Sequence, residues 1–412
     1  MATLNLPDVF AEPRRLDGLF PRMLQVGGFC ALAGFGAAAL LFIIADDKTE
    51  ARTELFFSYL AAFMFVLSLA LGGLFFTMIH HVARVGWSTV VRRLAEGAAM
   101  TLPFLALFLV PILIPGWGME SLYHEWVHPE SGAHASHVAP KEPYLNYPFF
   151  VVRMVISFAI LGGLAFYFFR NSVAQDASGD EQISRRMQKM SAPGVILFAL
   201  IITVLAVDLL MTLIPTWYST IFGVYYFAGT FMSFFGFLIV FSVWLQRNDR
   251  LGKVITAEHY HDMGKFMFAF TVFWAYIAFS QYMLIWYANI PEETQFFRPY
   301  HDNPSWGAAS WLLILGHFII PFVGFMSRAI KRRKHLIAIW ACWMMFMHWF
   351  DLFWLTGPRW SPERVPFGLM SITCLIGMVG VFIALTGYTL RSCSLVPERD
   401  PRLHDSLAFE NF

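Results

Sequence analysis

Two acidic residues stand in sequence that otherwise reads as oil. Asp208 opens DLLMTLIPTW (Asp208–Trp217) and Asp351 opens DLFWLTGPRW (Asp351–Trp360), with the Pro and the Trp at the same offsets from the Asp. A charge near a bilayer centre costs at least ~2.5–3.5 kcal/mol, so such side chains face the protein interior or water and are candidates for function. His348 stands one helical turn before Asp351, which puts both on one face with a shared hydrogen bond in reach. An imidazole beside a carboxyl makes a proton-exchanging pair near neutral pH; a polar clamp between helices is the other reading. Asp208 is either a proton- or ligand-handling carboxylate or half of a structural ion pair with Arg153. Gln281 and His317 complete the set of costly groups at depth, while His80, His81 and Glu96 are expected close to water at the opposite end of the spans.

The elements that must carry these residues follow from composition. The 412 residues are 58% hydrophobic, 17% aromatic and 14% charged, against roughly a quarter charged in soluble domains. Lipid is therefore the solvent for much of the chain. Ten apolar windows reach the length of about 20 residues that a helix needs to cross hydrocarbon: about 23–45, 55–79, 95–115, 149–169, 193–215, 221–245, 266–289, 306–328, 336–355 and 367–390. Each must be a helix, because a segment in lipid satisfies its own backbone hydrogen bonds, and Pro103, Pro111 and Pro321 kink rather than end theirs. Lys and Arg gather in one set of flanks (Arg14, Arg15 and Arg22; Arg84, Arg92 and Arg93; 170–192; 246–265; 328–335; 391–412). By the positive-inside rule that set, with both termini, is cytoplasmic. Asp208, Asp351, Gln281 and Arg153 then fall in the outer halves of their spans, with His317 near mid-depth, which suggests proton or quinol chemistry near the outer face.

Several classes are disfavoured. A net charge of +1 argues against nucleic-acid binding. The N-terminus lacks the apolar core of a cleavable signal peptide. Cys30, Cys342, Cys374 and Cys393 are scattered, without the spacing of an iron–sulfur, c-haem or zinc site. The outer loop 116–148 carries His124, His128, His134 and His137, but their spacing fits no zinc motif and a solvated loop is expected, so no metal site is assigned.

The doubled Asp-Leu motif has a companion. YLAAFMF (Tyr59–Phe65) opens span 2 and YFAGTFMSF (Tyr226–Phe234) opens span 6, four spans later, as span 9 follows span 5. Parallel repeats of this kind occur in membrane folds. They suggest an all-α architecture of two four-helix bundles, spans 2–5 and 6–9, flanked by spans 1 and 10. The division is 1–54 for the N-terminal tail and span 1, 55–215 and 216–355 for the bundles, and 356–412 for span 10 and the tail. Trp217 and Trp360 are expected as interfacial anchors.

Three stretches carry a family resemblance: FWAYIAFSQYMLIWYANIPEET (Phe273–Thr294), GHFIIPFVGFMSR (Gly316–Arg328) and PTWYSTIFGVYYFAG (Pro215–Gly229). They resemble the NrfD/polysulfide-reductase-type integral membrane subunits of bacterial alternative complex III, and the chain looks more like the shorter, ActF-type subunit than the quinol-binding ActC-type. The resemblance implies a multi-pass protein of the bacterial inner membrane with no redox centre of its own. Haems and iron–sulfur clusters would sit in partners: a multihaem cytochrome c, an iron–sulfur subunit, a monohaem cytochrome, small membrane-anchored subunits and a sister ten-span subunit. Quinone or menaquinone is the implied ligand class. Asp208 matches, by its place before PTW, the carboxylate that lines the quinol pocket of the sister subunit; spans 3 and 4 hold no matching His, and STIFGVYYF departs from the Pro-Pro form of that subunit. The residues expected to carry function are His348, Asp351 and Asp208 for proton transfer, and Asp208, Arg153, Gln281 and His317 for a quinone or proton path. A structural anchor for the extramembrane subunits and a proton-coupled transporter built on broken helices are the alternative classes.

Overall fold

A helix in oil ends where its backbone finds other partners, not where its apolar run stops. In the computed structural model, which describes residues 14–128 and 138–411, ten helices are long and apolar enough to cross a bilayer. No strand occurs among the described residues. The helices are α1 (Leu19–Ile44), α2 (Lys48–Val82), α3 (Thr89–Leu113), α4 (Tyr147–Ser178), α5 (Glu181–Leu213), α6 (Phe222–Arg247), α7 (Ala257–Ala288), α8 (Pro304–Met326), α9 (Lys334–Arg359) and α10 (Leu369–Leu390). The expected helical, ten-span character is present, with some helices longer than their apolar windows. α2 starts at Lys48 because Asp47 caps it, its carboxylate accepting from the N–H groups of Thr49 and Glu50 at 2.8 and 3.1 Å.

α2 and α6 are buried along most of their length, whereas α1, α7 and α8 expose much of their apolar surface. α2 packs against α3, α5, α6, α9 and α10, and α6 also against α7 and α9. α1 lies along α10 through small residues that let the backbones approach: a Cβ on Gly27, Gly34 or Gly380 would meet backbone atoms of the facing helix. Proline shapes two helices. α3 is interrupted at Met100–Thr101, before Pro103. In α8, Ile314–Ile319 winds as a π-helix just ahead of Pro321, which has no N–H and whose ring would crowd the carbonyl of His317, so the ladder widens there.

The two terminal segments meet. Leu395 N–H donates to the Arg14 carbonyl at 2.7 Å, and the Arg250 guanidinium donates to the carbonyls of Arg15 and Asp17, each at 2.9 Å. Beneath the C-terminal tail lies a buried charge network: Arg93 pairs with Glu96 at 3.0 Å and Asp176 at 2.8 Å, and Arg92 pairs with Glu96 at 3.4 Å and with Asp400. The expectation that His80, His81 and Glu96 lie close to water is overturned, since all three are buried. His80 Nδ1 lies 2.9 Å from the Phe76 carbonyl and His81 stacks on Phe168. Trp87 and Phe266 close around His80, and the tail reaches the Arg92–Arg93 pair over Glu96 through Asp400 and the Ser394 carbonyl. Burial pushes the Asp400 carboxyl upward, but Arg92 beside it and the Arg402 N–H hold it below the ordinary carboxylate value.

Two outcomes follow from this packing. Gly34→Val should destabilise the protein by roughly 1–3 kcal/mol through overpacking, while Gly36→Val, facing open space, leaves thermal unfolding in detergent unchanged. A carboxyl with a lowered folded pKa contributes stability above its unfolded value of about 3.9 and loses it as pH falls through the folded value. Limited proteolysis of residues 391–411 should therefore accelerate only in strong acid for the native chain, and already at neutral pH for Asp400→Asn.

Candidate functional site

The two carboxylates of the doubled motif meet different fates. Asp208, near the end of α5, is fully buried. Arg153, in the first turns of α4, donates from Nε to Oδ2 at 2.7 Å and from Nη2 to Oδ1 at 3.1 Å. The Tyr144 hydroxyl adds a bond to Oδ1 at 2.8 Å, and Arg153 Nη1 donates to the Tyr144 carbonyl at 2.8 Å. The guanidinium also lies over the Tyr144 and Phe149 rings, 3.8 and 4.5 Å from their centroids. A two-pronged guanidinium with a phenol leaves this carboxylate neutralised and saturated. Of the two readings of Asp208 and Arg153, the geometry favours the structural ion pair.

Asp351 in α9 is as deeply buried but meets no cation among the described residues. Tyr225 of α6 donates its hydroxyl to Oδ1, and Trp274 of α7 donates Nε1–H to Oδ2 at 3.1 Å. The hydrogen bond expected between His348 and Asp351 is not formed. His348 Nε2 instead lies 3.1 Å from Ser68 Oγ on α2. Ser68 gives its own proton to the Phe65 carbonyl at 2.6 Å, so Nε2 is the donor and Nδ1 carries the lone pair. The two residues share a helix face, but tertiary packing gives each a different neighbour, α2 for His348 and α6 and α7 for Asp351. Nδ1 of His348 has no protein partner among the described residues, and it faces Gly229, where a Cβ would crowd it.

Of the other expected residues, Gln281 alone lines a cavity of about 620 Å³ formed by α7, α8, α9, the α7–α8 connection and Tyr225 of α6, a volume typical of sites for small organic ligands. Tyr225, Trp274 and Gln281 form part of its wall. Asp351 thus stands directly behind two of the lining side chains. Gln281 Oε1 accepts from Ser219 Oγ at 2.9 Å. His317 does not line the cavity; it is fully buried in the π-helical turn, its ring 3.9 Å from that of Trp274, with neither nitrogen bonded to protein among the described residues. Tyr300 and Trp354 stack at 4.0 Å on another wall, and Tyr300 donates its hydroxyl to the Trp354 carbonyl at 2.9 Å. On the α7–α8 side Phe279 and Trp311 line the cavity yet are 62% and 64% exposed, so its mouth opens on an apolar outer face of the helices. α7 is pinned to the tail at its start, His259 Nε2 lying 3.1 Å from the Ser406 carbonyl; the cavity residues 274–282 belong to its other half, away from the termini.

Sequence reasoning placed Gln281 and Asp351 at this site and missed Tyr225, Trp274, Tyr300 and Trp354. Its error over Trp217 is instructive: this residue is no interfacial anchor but is buried, stacked on Phe296 at 4.1 Å. In the 116–148 loop His128 Nε2 lies 2.9 Å from Glu120 and His124 at 3.7 Å, both imidazoles exposed. His134 and His137 lie outside the described residues. No group of three or more His, Cys, Asp or Glu able to hold a metal occurs among the described residues. Comparison of the chain with known protein families and with curated proteins finds no match.

The ion pair generates a prediction with an internal control. Asp208→Asn strands Arg153 in the interior and should cost ~3–5 kcal/mol, whereas Asp208→Leu combined with Arg153→Met should recover most of that loss. Thermal unfolding of the three purified proteins checks it.

Proposed function

We propose that this chain is an integral membrane subunit of a quinol-oxidising respiratory complex, in which it takes a quinol from the lipid phase into the α7–α9 cavity and accepts a proton through Tyr225 and Asp351. One observation carries the reading: a largely aromatic cavity, open towards lipid, is backed by a buried carboxyl that no cation neutralises among the described residues. An apolar mouth on the lipid-facing side suits a ligand that partitions into the bilayer, and flat aromatic walls suit a planar ring. A hydroxyl proton of the ligand would pass to Tyr225 as Tyr225 gives its own to Oδ1 of Asp351. The electrons would leave for haem or iron–sulfur centres in partner subunits, since this chain is read as holding none.

The family resemblance supplies the finer parts of the proposal. In it the helices form two four-helix bundles, α2–α5 and α6–α9, with α1 and α10 flanking; the pairings of α2 with α3 and α5, and of α6 with α7 and α9, are compatible with that grouping. Both termini lie in the cytoplasm of a bacterium, the cavity opens in the outer half of the inner membrane, and the complex is alternative complex III with its cytochrome, iron–sulfur and sister ten-span subunits. The saturated Asp208–Arg153 pair favours the second bundle, not the first, as the ligand-handling half of this chain.

The assembled complex is the object to test. Asp351→Asn and Tyr225→Phe should each lower quinol-driven electron transfer by roughly 10²–10⁴, the usual contribution of a positioned proton acceptor, and a photoreactive quinone should label Phe279 or Trp311. Full turnover in both variants, with labelling elsewhere, would refute the reading.

A further inference from the structure

At the end of the molecule where the termini meet lies a second cavity, of different chemistry and also about 620 Å³, between the α6–α7 loop and the α8–α9 loop. Arg332, Arg333, Lys334 and His335 all line it, opposite Thr256, Ala257 and Tyr260. Two of these basic groups are already committed. Arg332 forms a two-pronged pair with Glu258, Nη1 to Oε2 at 2.8 Å, and Arg247 donates to His335 Nδ1 at 3.2 Å. Arg333 and Lys334 are exposed and pair with no carboxylate among the described residues. They also begin α9, whose start has no side-chain cap, so its first N–H groups add their partial positive charge at the cavity rim.

What runs away from this cavity is as informative as its lining. Leu336, Ile339, Trp343 and Phe346 follow along α9 at helical spacing and are all exposed. Val323 and Met326 of α8 expose apolar surface beside the same loop. A basic hollow continuous with an apolar stripe down a membrane helix matches a molecule that is anionic at one end and hydrocarbon at the other. A soluble phosphate would use the hollow and leave the stripe without a role.

We propose that this cavity is a binding site for the phosphodiester headgroup of an anionic phospholipid, held by Arg333 and Lys334 and the start of α9, with its acyl chains along Leu336, Ile339 and Trp343. Basic pockets between membrane helices recognise anionic headgroups in this manner, each Lys or Arg near the surface contributing about 1 kcal/mol. The site rests on observations separate from those that support the quinol cavity, so either can fail alone.

The test uses the full chain in nanodiscs of phosphatidylcholine, alone or doped with phosphatidylglycerol. Native mass spectrometry after release should show phosphatidylglycerol retained in preference to phosphatidylcholine. Arg333→Gln with Lys334→Gln should weaken that preference roughly thirty-fold, the equivalent of about 1 kcal/mol for each cation removed. Arg185→Gln with Arg186→Gln, which removes two exposed arginines from the same end, should leave it intact. Equal losses in the two double variants would reduce the effect to surface charge and overturn the site. Displacement of the lipid by inorganic phosphate at matched concentration would overturn the lipid as its occupant, and unchanged retention in the Arg333/Lys334 variant would overturn the proposal outright.

Discussion

Inside a low-dielectric helix bundle, a buried polar group must find a partner within the protein or leave a cost unmet. That constraint organises this molecule more than any single apolar contact does. Oil-facing surface is cheap to satisfy in lipid, so packing alone would leave the helices free to slide or rotate. The polar groups remove that freedom: Ser68 fixes His348 across α2 and α9, Tyr226 donates to the Met64 carbonyl at 2.8 Å between α6 and α2, and the Arg92–Asp400 and Arg93–Asp176 pairs bind the tail and α4 to α3.

Against that background the doubled motif becomes meaningful. Asp208 and Asp351 share sequence context, depth of burial and a tyrosine donor, but one has Arg153 and the other has Trp274. With a neutral indole in place of a guanidinium, the second carboxyl meets hydrogen-bond donors but no cation among the described residues. The same indole lies tilted against His317, 3.9 Å between ring centroids, and lines the cavity, so one side chain links the carboxyl, the π-helical turn and the space a ligand would enter.

Much of the scaffold was legible in the sequence. The apolar runs are long, uninterrupted and forced to be helical by their solvent, so ten spans could be counted without knowing any contact. Asp351 and Gln281 were legible as candidates because a costly residue advertises itself in oil. Their partners were not. Tyr225 and Trp274 are two among 44 Phe, 14 Trp and 14 Tyr, and nothing in local spacing distinguishes an aromatic that donates to Asp351 from one that fills volume. The same blindness misplaced the His348–Asp351 bond, since helical periodicity predicts a shared face and tertiary packing decides which neighbour each side chain meets. Burial of His80, His81 and Glu96 was invisible for a related reason: their cover comes from residues distant in sequence, Phe168, Phe266 and the tail that meets Arg92 and Arg93, which no local period announces.

The central claim is that Asp351 exchanges its proton when a ligand occupies the cavity beside it. Redox-triggered infrared difference spectroscopy on the assembled complex addresses it most directly. The account predicts a carboxyl C=O band that appears or shifts on quinol oxidation, moves on deuteration, and vanishes in Asp351→Asn while persisting in an Asp208→Leu, Arg153→Met background. A difference spectrum identical with and without the Asp351 carboxyl would contradict it.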